Sequence, residues 1–299
     1  MSEVKDYLVR AAASNGKIRA FAASTKVLVE EARKLHNTSP VMSAALGRLL
    51  TASAILGCQL KGEKDKLTIK IKGDGPAGTL YGVADSAGHV KGFGEHAQLL
   101  LHARPDGKLD VGGAIGKGEL TIIKDLGLKE PYVGSCELVS GEIAEDLTYY
   151  YSVSEQIPSS FSLGVLMNKN NTVAQAGGFM LQLMPGVEEE EAARLEEKIL
   201  SAPAVTTLLQ QGMDPEAILG FLLEDFEPKF QEKTMLSYEC GCSREKMEGV
   251  LISLGRHELL DMMVSQPEIK VHCDFCNQDY TFTRPELKAL FKKHFRNEG

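Results

Sequence analysis

The chain has 299 residues, 43% of them hydrophobic and 25% charged, with a formal net charge of −8. These values fit a globular protein long enough to build more than one core, and they exclude a disordered or low-complexity chain. The charge is unevenly placed: residues 1–183 hold 20 basic and 19 acidic side chains, 184–232 hold 3 and 12, and 233–299 hold 10 and 10, so the acidic middle argues against a phosphate backbone as its partner.

The start, Met1-Ser2-Glu3-Val4-Lys5-Asp6, carries both signs of charge and no apolar core, unlike a signal peptide. No apolar stretch is read as reaching the roughly 18 residues of a membrane span. The expected compartment is the cytoplasm, where closely spaced cysteines are metal ligands or redox groups more often than structural disulfides. A short helix capped by Thr25 comes first. Ser39 as N-cap and Pro40 in the first turn then open a long apolar helix to Gly57. Leu67, Ile69 and Ile71 alternate with polar residues, the period of a half-buried strand. Further strands are predicted at Thr79–Ala84, His89–Phe93, Glu119–Lys124, Phe161–Met167 and Phe179–Met184, with one helix, Glu142–Val153, among them. Many strands with few helices give an α+β domain over 1–184.

From 185 to 232 the character changes. Helices are predicted at Glu188–Leu200 and Pro215–Glu224, both short and acidic. Charge repulsion along Glu188-Glu189-Glu190-Glu191 and breaks at Pro203 and Pro215 leave this segment marginally stable alone. Leu208, Leu209, Ile218, Leu219, Phe221, Leu222 and Leu223 supply an apolar face. The segment reads as a metastable helical linker docked on a neighbour, with an ordinary part of the first domain's core as the alternative. A C-terminal unit is expected over 233–299. Ser243 caps a helix to Leu254 that stops at Gly255, and Thr283 with Glu286 forms a capping box for a last helix.

That unit carries the chemistry. Cys240-Gly241-Cys242 is followed after 30 intervening residues by Cys273-Asp274-Phe275-Cys276. Two thiolate pairs on tight turns can give one Zn²⁺ four ligands at about 2.3 Å, and Gly241 lets the backbone curl between its neighbours. A disulfide pair and unrelated thiols are the competing readings. His257 and His272 lie close in sequence but are left outside the ligand set. A unit of 67 residues is marginal unaided, whereas structural zinc supplies about 10–16 kcal/mol of apparent folding free energy. Zinc leaves when its thiolates become disulfides, so such a site can couple oxidant to folding; a purely structural zinc is the alternative. Cys58 and Cys136 read as packing residues.

Two glycine motifs are set aside. Gly73-Asp74-Gly75-Pro76-Ala77-Gly78 has dinucleotide-fingerprint spacing, but Thr79-Leu80-Tyr81-Gly82-Val83 continues it as strand, so a hairpin turn is expected. Gly116-Lys117-Gly118 lacks the Ser or Thr and the upstream glycine of a phosphate loop. No nucleotide and no catalytic constellation is assigned; Ser154-Glu155-Gln156 and Ser159-Ser160 read as loop residues.

Over essentially its whole length the chain resembles the 33-kilodalton heat-shock protein family of bacterial redox-regulated holdase chaperones. The resemblance rests on the two cysteine pairs with their spacing, Cys242-Ser243-Arg244-Glu245, Ser39-Pro40 leading to Ala45-Leu46-Gly47-Arg48, Leu138-Val139-Ser140-Gly141-Glu142-Ile143-Ala144-Glu145-Asp146, Ser154-Glu155-Gln156 and Ala176-Gly177-Gly178. It implies an N-terminal α+β domain, a metastable helical linker and a C-terminal zinc domain. It also implies one zinc per reduced chain on Cys240, Cys242, Cys273 and Cys276, and disulfides Cys240–Cys242 and Cys273–Cys276 on oxidation. Unfolding of linker and zinc domain would then expose apolar surface to unfolded or partly unfolded client proteins, without ATP, nucleic acid or membrane, and with a homodimer as the active form. A thiol oxidoreductase using Cys273 and Cys276, and a zinc-ribbon nucleic-acid binder, are the rival readings.

Overall fold

The structure, a computed structural model, describes residues 5–295; Met1–Val4, part of the charged start considered above, lie outside them. Two compact units divide between Glu239 and Cys240.

The first unit opens with an antiparallel hairpin, β1 (Tyr7–Ala13) and β2 (Ile18–Ser24), followed by α1 (Lys26–His36) and α2 (Pro40–Gly57). The sequence reading missed both strands because alanines at 11–13, 20, 22 and 23 are poor strand formers. Thr25 stands at the N-terminus of α1, but its hydroxyl turns inward to Thr51 at 2.7 Å. The cap comes instead from Asp6, whose carboxylate accepts the Leu28 N–H at 2.7 Å.

Helix α2 begins as expected: Ser39 Oγ accepts from the Met42 N–H at 3.4 Å, and Pro40 occupies the first turn. It has the length and apolar composition of a membrane span, a match the sequence reading did not register. Nearly all its residues are buried, so it is a core helix, apolar on every face because it is packed on every face.

Its neighbours are two six-stranded sheets. One sheet contains β3 (Lys66–Gly73), β4 (Thr79–Asp85), β5 (His89–Gly94), β6 (Gly118–Asp125) and β7 (Tyr132–Glu137), with α3 (Val111–Ile115) before β6. Inward Leu67, Ile69 and Ile71 face α2 in the expected alternation. The Gly73–Gly78 segment is the β3–β4 hairpin turn, with Lys72 opposite Thr79. It also binds the Gly116–Gly118 segment: Asp74 N–H donates to Lys117 O and Lys117 N–H to Asp74 Oδ1, both at 2.7 Å. A Cβ on Gly73 would strike the Ile115 carbonyl, so close backbone approach explains that glycine without a phosphate.

The second sheet joins β1 and β2 to β8 (Ser159–Met167) and β9 (Val173–Leu183). Between the sheets' strands, α4 covers only Ala144–Tyr150 before a wider turn of helix at Tyr151–Glu155. The helix starts late because Ile143 holds φ +67° and Asp146 turns back over the approach. The Asp146 carboxylate accepts N–H groups of Val139 at 2.8 Å, Ser140 at 3.0 Å, Gly141 at 3.2 Å and Ile143 at 2.8 Å.

Three helices follow within this unit: α5 (Glu189–Ser201), α6 (Val205–Gln210) and α7 (Pro215–Leu222). One face of the second sheet packs on α2. The other presents Val9, Ala11, Ile18, Ala20 and Phe179, covered by Leu195, Val205, Leu208, Leu219, Leu222 and Phe226 of the helical segment. The segment read as a linker is thus docked by the face the sequence singled out. Polar tethers supplement it: Ser14 and Lys17 bind Glu191, and Glu216 accepts from the Tyr7 hydroxyl at 2.7 Å and pairs with Lys233 at 2.5 Å.

The chain then straps both sheets. β10 (Lys229–Phe230) and β11 (Thr234–Met235) pair with β1, and β12 (Ser237–Tyr238) lies parallel to β5. Residues 233–239, assigned from sequence to the C-terminal unit, therefore sit with the first unit. Tyr238 anchors the strap, donating to Gly92 O at 2.8 Å with His36 Nε2 at 3.0 Å.

The second unit contains α8 (Arg244–Ser253), α9 (Arg256–Ser265), the hairpin β13 (Glu268–Cys273) with β14 (Gln278–Thr283), and α10 (Arg284–Phe295). Ser243 caps α8, and Gly255, at φ +90°, separates it from α9, which the sequence reading missed. Glu286 reaches back to the N–H of Thr283 at 2.8 Å. Leu251, Leu259, Ile269, Phe282, Leu287 and Leu290 make a small core.

Candidate metal centre

Cys240-Gly241-Cys242 precedes the N-terminus of α8. Gly241 has φ +62°, a conformation that L side chains rarely adopt, and it turns the two cysteines toward the same point. Lys246, in the first turn of α8, donates its ammonium to the Gly241 carbonyl, fixing this loop to the helix. The second pair lies at the hairpin tip. Cys273 ends β13, its carbonyl accepts the N–H groups of Cys276 at 3.3 Å and Asn277 at 2.8 Å, and Asn277 at φ +55° leads into β14.

All four sulfurs lie within 4.8 Å of one another. Cys240 Sγ is 3.5 Å from Cys273 Sγ, and Cys242 Sγ is 3.2 Å from Cys276 Sγ. Four sulfurs about 2.3 Å from a common centre at tetrahedral angles would lie about 3.8 Å apart, so the cluster is of the size that one ion requires. All four donors are soft and none is a carboxylate, so the cluster could hold one thiophilic metal ion. Among the described residues no other group of three or more His, Cys, Asp or Glu converges this way.

The electrostatics agree. Burial and the neighbouring Cys273 raise the Cys240 thiol to about 11, and burial with the three other sulfurs pushes Cys276 up further. Burial also works to raise Cys242, but hydrogen bonding from Tyr280 and the other thiols outweighs it and brings Cys242 down to about 7. Four adjacent thiolates repel one another, and a dication at their centre removes that obstacle.

His272 is occupied elsewhere, with Nδ1 2.7 Å from Asp279 Oδ1, and exposed His257 lies in the first turn of α9; neither joins the cluster. Cys58 and Cys136 lie in the first unit, and burial lifts both thiols to about 11, which disfavours the thiolate form. The Cys273–Cys276 pair sits in a turn between strands rather than at a helix N-terminus after a strand, which removes the geometry an oxidoreductase pair uses.

The remaining motif residues act inside the first unit. Arg48 pairs with Glu142, which also accepts from Arg104 and the Gly112 N–H, each at 3.3 Å. Glu155 accepts from Lys124 at 2.6 Å and Tyr150 at 3.2 Å. Tyr280, whose hydroxyl lies 3.0 Å from Cys242 Sγ, was missed by the sequence reading; only its position four residues beyond Cys276 pointed to it.

Comparison with known proteins covers nearly all of the chain. Residues 6–283 match the family described as Hsp33 protein. Chains called 33 kDa chaperonin from Lachnoclostridium phytofermentans and Agathobacter rectalis are each 50% identical, over 290 and 287 residues, covering 97% and 96% of this chain and 99% and 100% of their own. A crystal structure of a 33 kDa chaperonin, a heat shock protein 33 homolog from Thermotoga maritima, matches with a TM-score of 0.90 at 36% identity. It covers 98% of this chain and 100% of that one.

Proposed function

Because this chain belongs to the Hsp33 chaperone family, we propose that it is a redox-regulated holdase of the cytoplasm, inactive when reduced and metal-bound and active when oxidised. The observation that carries this reading is the convergence of four sulfurs within 4.8 Å in a unit with a small core. The metal we assign is Zn²⁺, one per chain, on Cys240, Cys242, Cys273 and Cys276. Bound there, it would supply cross-linking free energy that a core of this size lacks.

Oxidation by a peroxide removes that support. In each pair two thiols lose two electrons, an S–S bond forms, the O–O bond breaks, and two waters carry away the oxygens and protons. We assign the disulfides Cys240–Cys242 and Cys273–Cys276, which close small local loops. The contacts Cys240–Cys273 at 3.5 Å and Cys242–Cys276 at 3.2 Å run across the two pairs and would be given up when the local bridges form.

Covalent continuity passes the change onward. Cys240 follows the β12 strap after a single residue, Glu239, and that strap follows the acidic helices that cover the second sheet. Departure of α5–α7 bares apolar side chains on both the sheet and the helices, a surface suited to unfolded or partly unfolded clients. Acidic residues around it keep the opened chain soluble. No step draws on ATP, and the active form is expected to be a homodimer.

Light scattering from a thermally unfolding client, followed with reduced, peroxide-treated and re-reduced protein, tests the reading, with zinc release measured in parallel. Only the oxidised sample is expected to suppress aggregation, after releasing close to one zinc per chain. Equal protection by reduced and oxidised samples would leave the metal as structure alone.

A further inference from the structure

We propose that Tyr280 is a positioning residue for the metal centre, its hydroxyl donating to Cys242 Sγ and thereby setting how firmly metal is held and how fast Cys242 is oxidised. This inference rests on the metal reading above.

The oxygen lies 3.0 Å from the sulfur. A thiolate has no proton to give, so once Cys242 is ionised the tyrosine is the donor. The other acceptor near the hydroxyl, Gln278 Oε1, is at 3.4 Å, longer and uncharged. Tyr280 stands in β14 opposite Val271, on the hairpin whose tip supplies Cys273 and Cys276. One rigid element therefore fixes two sulfurs and orients a third that comes from a different segment. The ring packs at the edge of the small core, so removing only the hydroxyl leaves its apolar contacts in place.

A hydrogen bond to a metal-bound thiolate draws electron density from sulfur and holds its side chain in one rotamer. The first effect slows attack on peroxide, and the second favours retention of the metal. In the attack, Cys242 sulfur forms a bond to one peroxide oxygen, the O–O bond breaks, and the departing hydroxide is protonated to water. A neighbouring cysteine sulfur then displaces the second oxygen as water, forming the disulfide. Without the Tyr280 hydroxyl the thiolate is the stronger nucleophile.

The test uses full-length reduced protein loaded with Co²⁺, then competed with Zn²⁺. Tyr280→Phe should move the thiolate-to-cobalt charge-transfer bands to longer wavelength and weaken zinc binding about tenfold, the scale of a lost outer partner. It should also speed peroxide-driven zinc release. Gln278→Ala, which removes the competing acceptor, should move the bands the other way. Should Tyr280→Phe fail to give a tetrahedral cobalt spectrum, Gln278→Ala decides alone, and an unchanged spectrum there overturns the proposal. Identical spectra and zinc affinity for Tyr280→Phe and wild type also overturn it. A wild-type protein that takes up neither metal overturns the metal reading instead, which is a separate result.

Discussion

Asp6 carries two opposed effects on one carboxyl group. Burial raises it from the ordinary 3.8 to about 6, although the N–H groups of Leu28, Val27 and Lys26 at the start of α1 pull it down. Its folded value lies above its unfolded one, so folding favours the protonated form. Stability from this group is greatest below about pH 4, falls as pH rises to about 6, and is constant above. A shift of that size corresponds to on the order of 3 kcal/mol at neutral pH. Asp6→Asn keeps an oxygen for the cap without the charge, so its stability relative to wild type should rise by about 2–3 kcal/mol between pH 4 and 7. Urea unfolding at several pH values measures this, and a difference independent of pH would contradict the account. Asp6→Ala loses the cap and should cost about 1 kcal/mol at low pH. At the metal centre, Cys242→Ser should weaken zinc binding by more than the roughly 10–100-fold cost of an outer partner and unfold the second unit, leaving the first intact in circular dichroism. The four cysteines were legible in sequence because thiol spacing survives folding unchanged. Asp6 and Tyr280 were not, because each acts on a residue from another segment, as the Leu28 N–H and Cys242 Sγ contacts show.

Among the elements, α5–α7 bear the weight of the proposed switch. Their sequence announced an acidic, proline-broken stretch with a leucine face, and that face is what packs on β1, β2 and β9. Part of its target was hidden, since β1 and β2, rich in alanine, were not recognised as strands, whereas β9 was expected in part as Phe179–Met184. α6 was missed for a related reason: six residues are too few for periodicity to register. Leu219 and Leu222 of α7 are fully buried against the second sheet, so Leu219→Ala or Leu222→Ala should cost about 2–4 kcal/mol of docking. Either variant should respond to peroxide at a lower temperature than wild type, as read by suppression of client aggregation. An unchanged temperature threshold would show that helix departure does not limit activation. Hydrogen exchange on oxidised protein should lose protection early across 185–232 while the strands of both sheets keep theirs. Simultaneous loss in both would instead mean global unfolding.

For the whole molecule, the division at Glu239/Cys240 makes a prediction about truncation. A chain ending at Glu239 retains β11, β12 and the Tyr238 anchor, whereas one ending at Glu232 loses them together with buried Leu236. The longer form should unfold cooperatively at a melting temperature several degrees above the shorter one. Equal melting temperatures would show that the strap contributes nothing to the first unit. The α+β class was legible from alternation in β3 and its neighbours, but the strap was not, because two-residue strands carry no pattern of their own. One face of the second sheet is covered by helices of the same chain, and this has a kinetic and thermodynamic consequence. A tethered cover competes with any client at an effective concentration of about millimolar, whatever the cell supplies. On the proposed switch, a client stays bound only while its concentration divided by its dissociation constant exceeds the same ratio for the tethered cover, so reduction and metal return, by letting the helices redock, are expected to lower client affinity by competition.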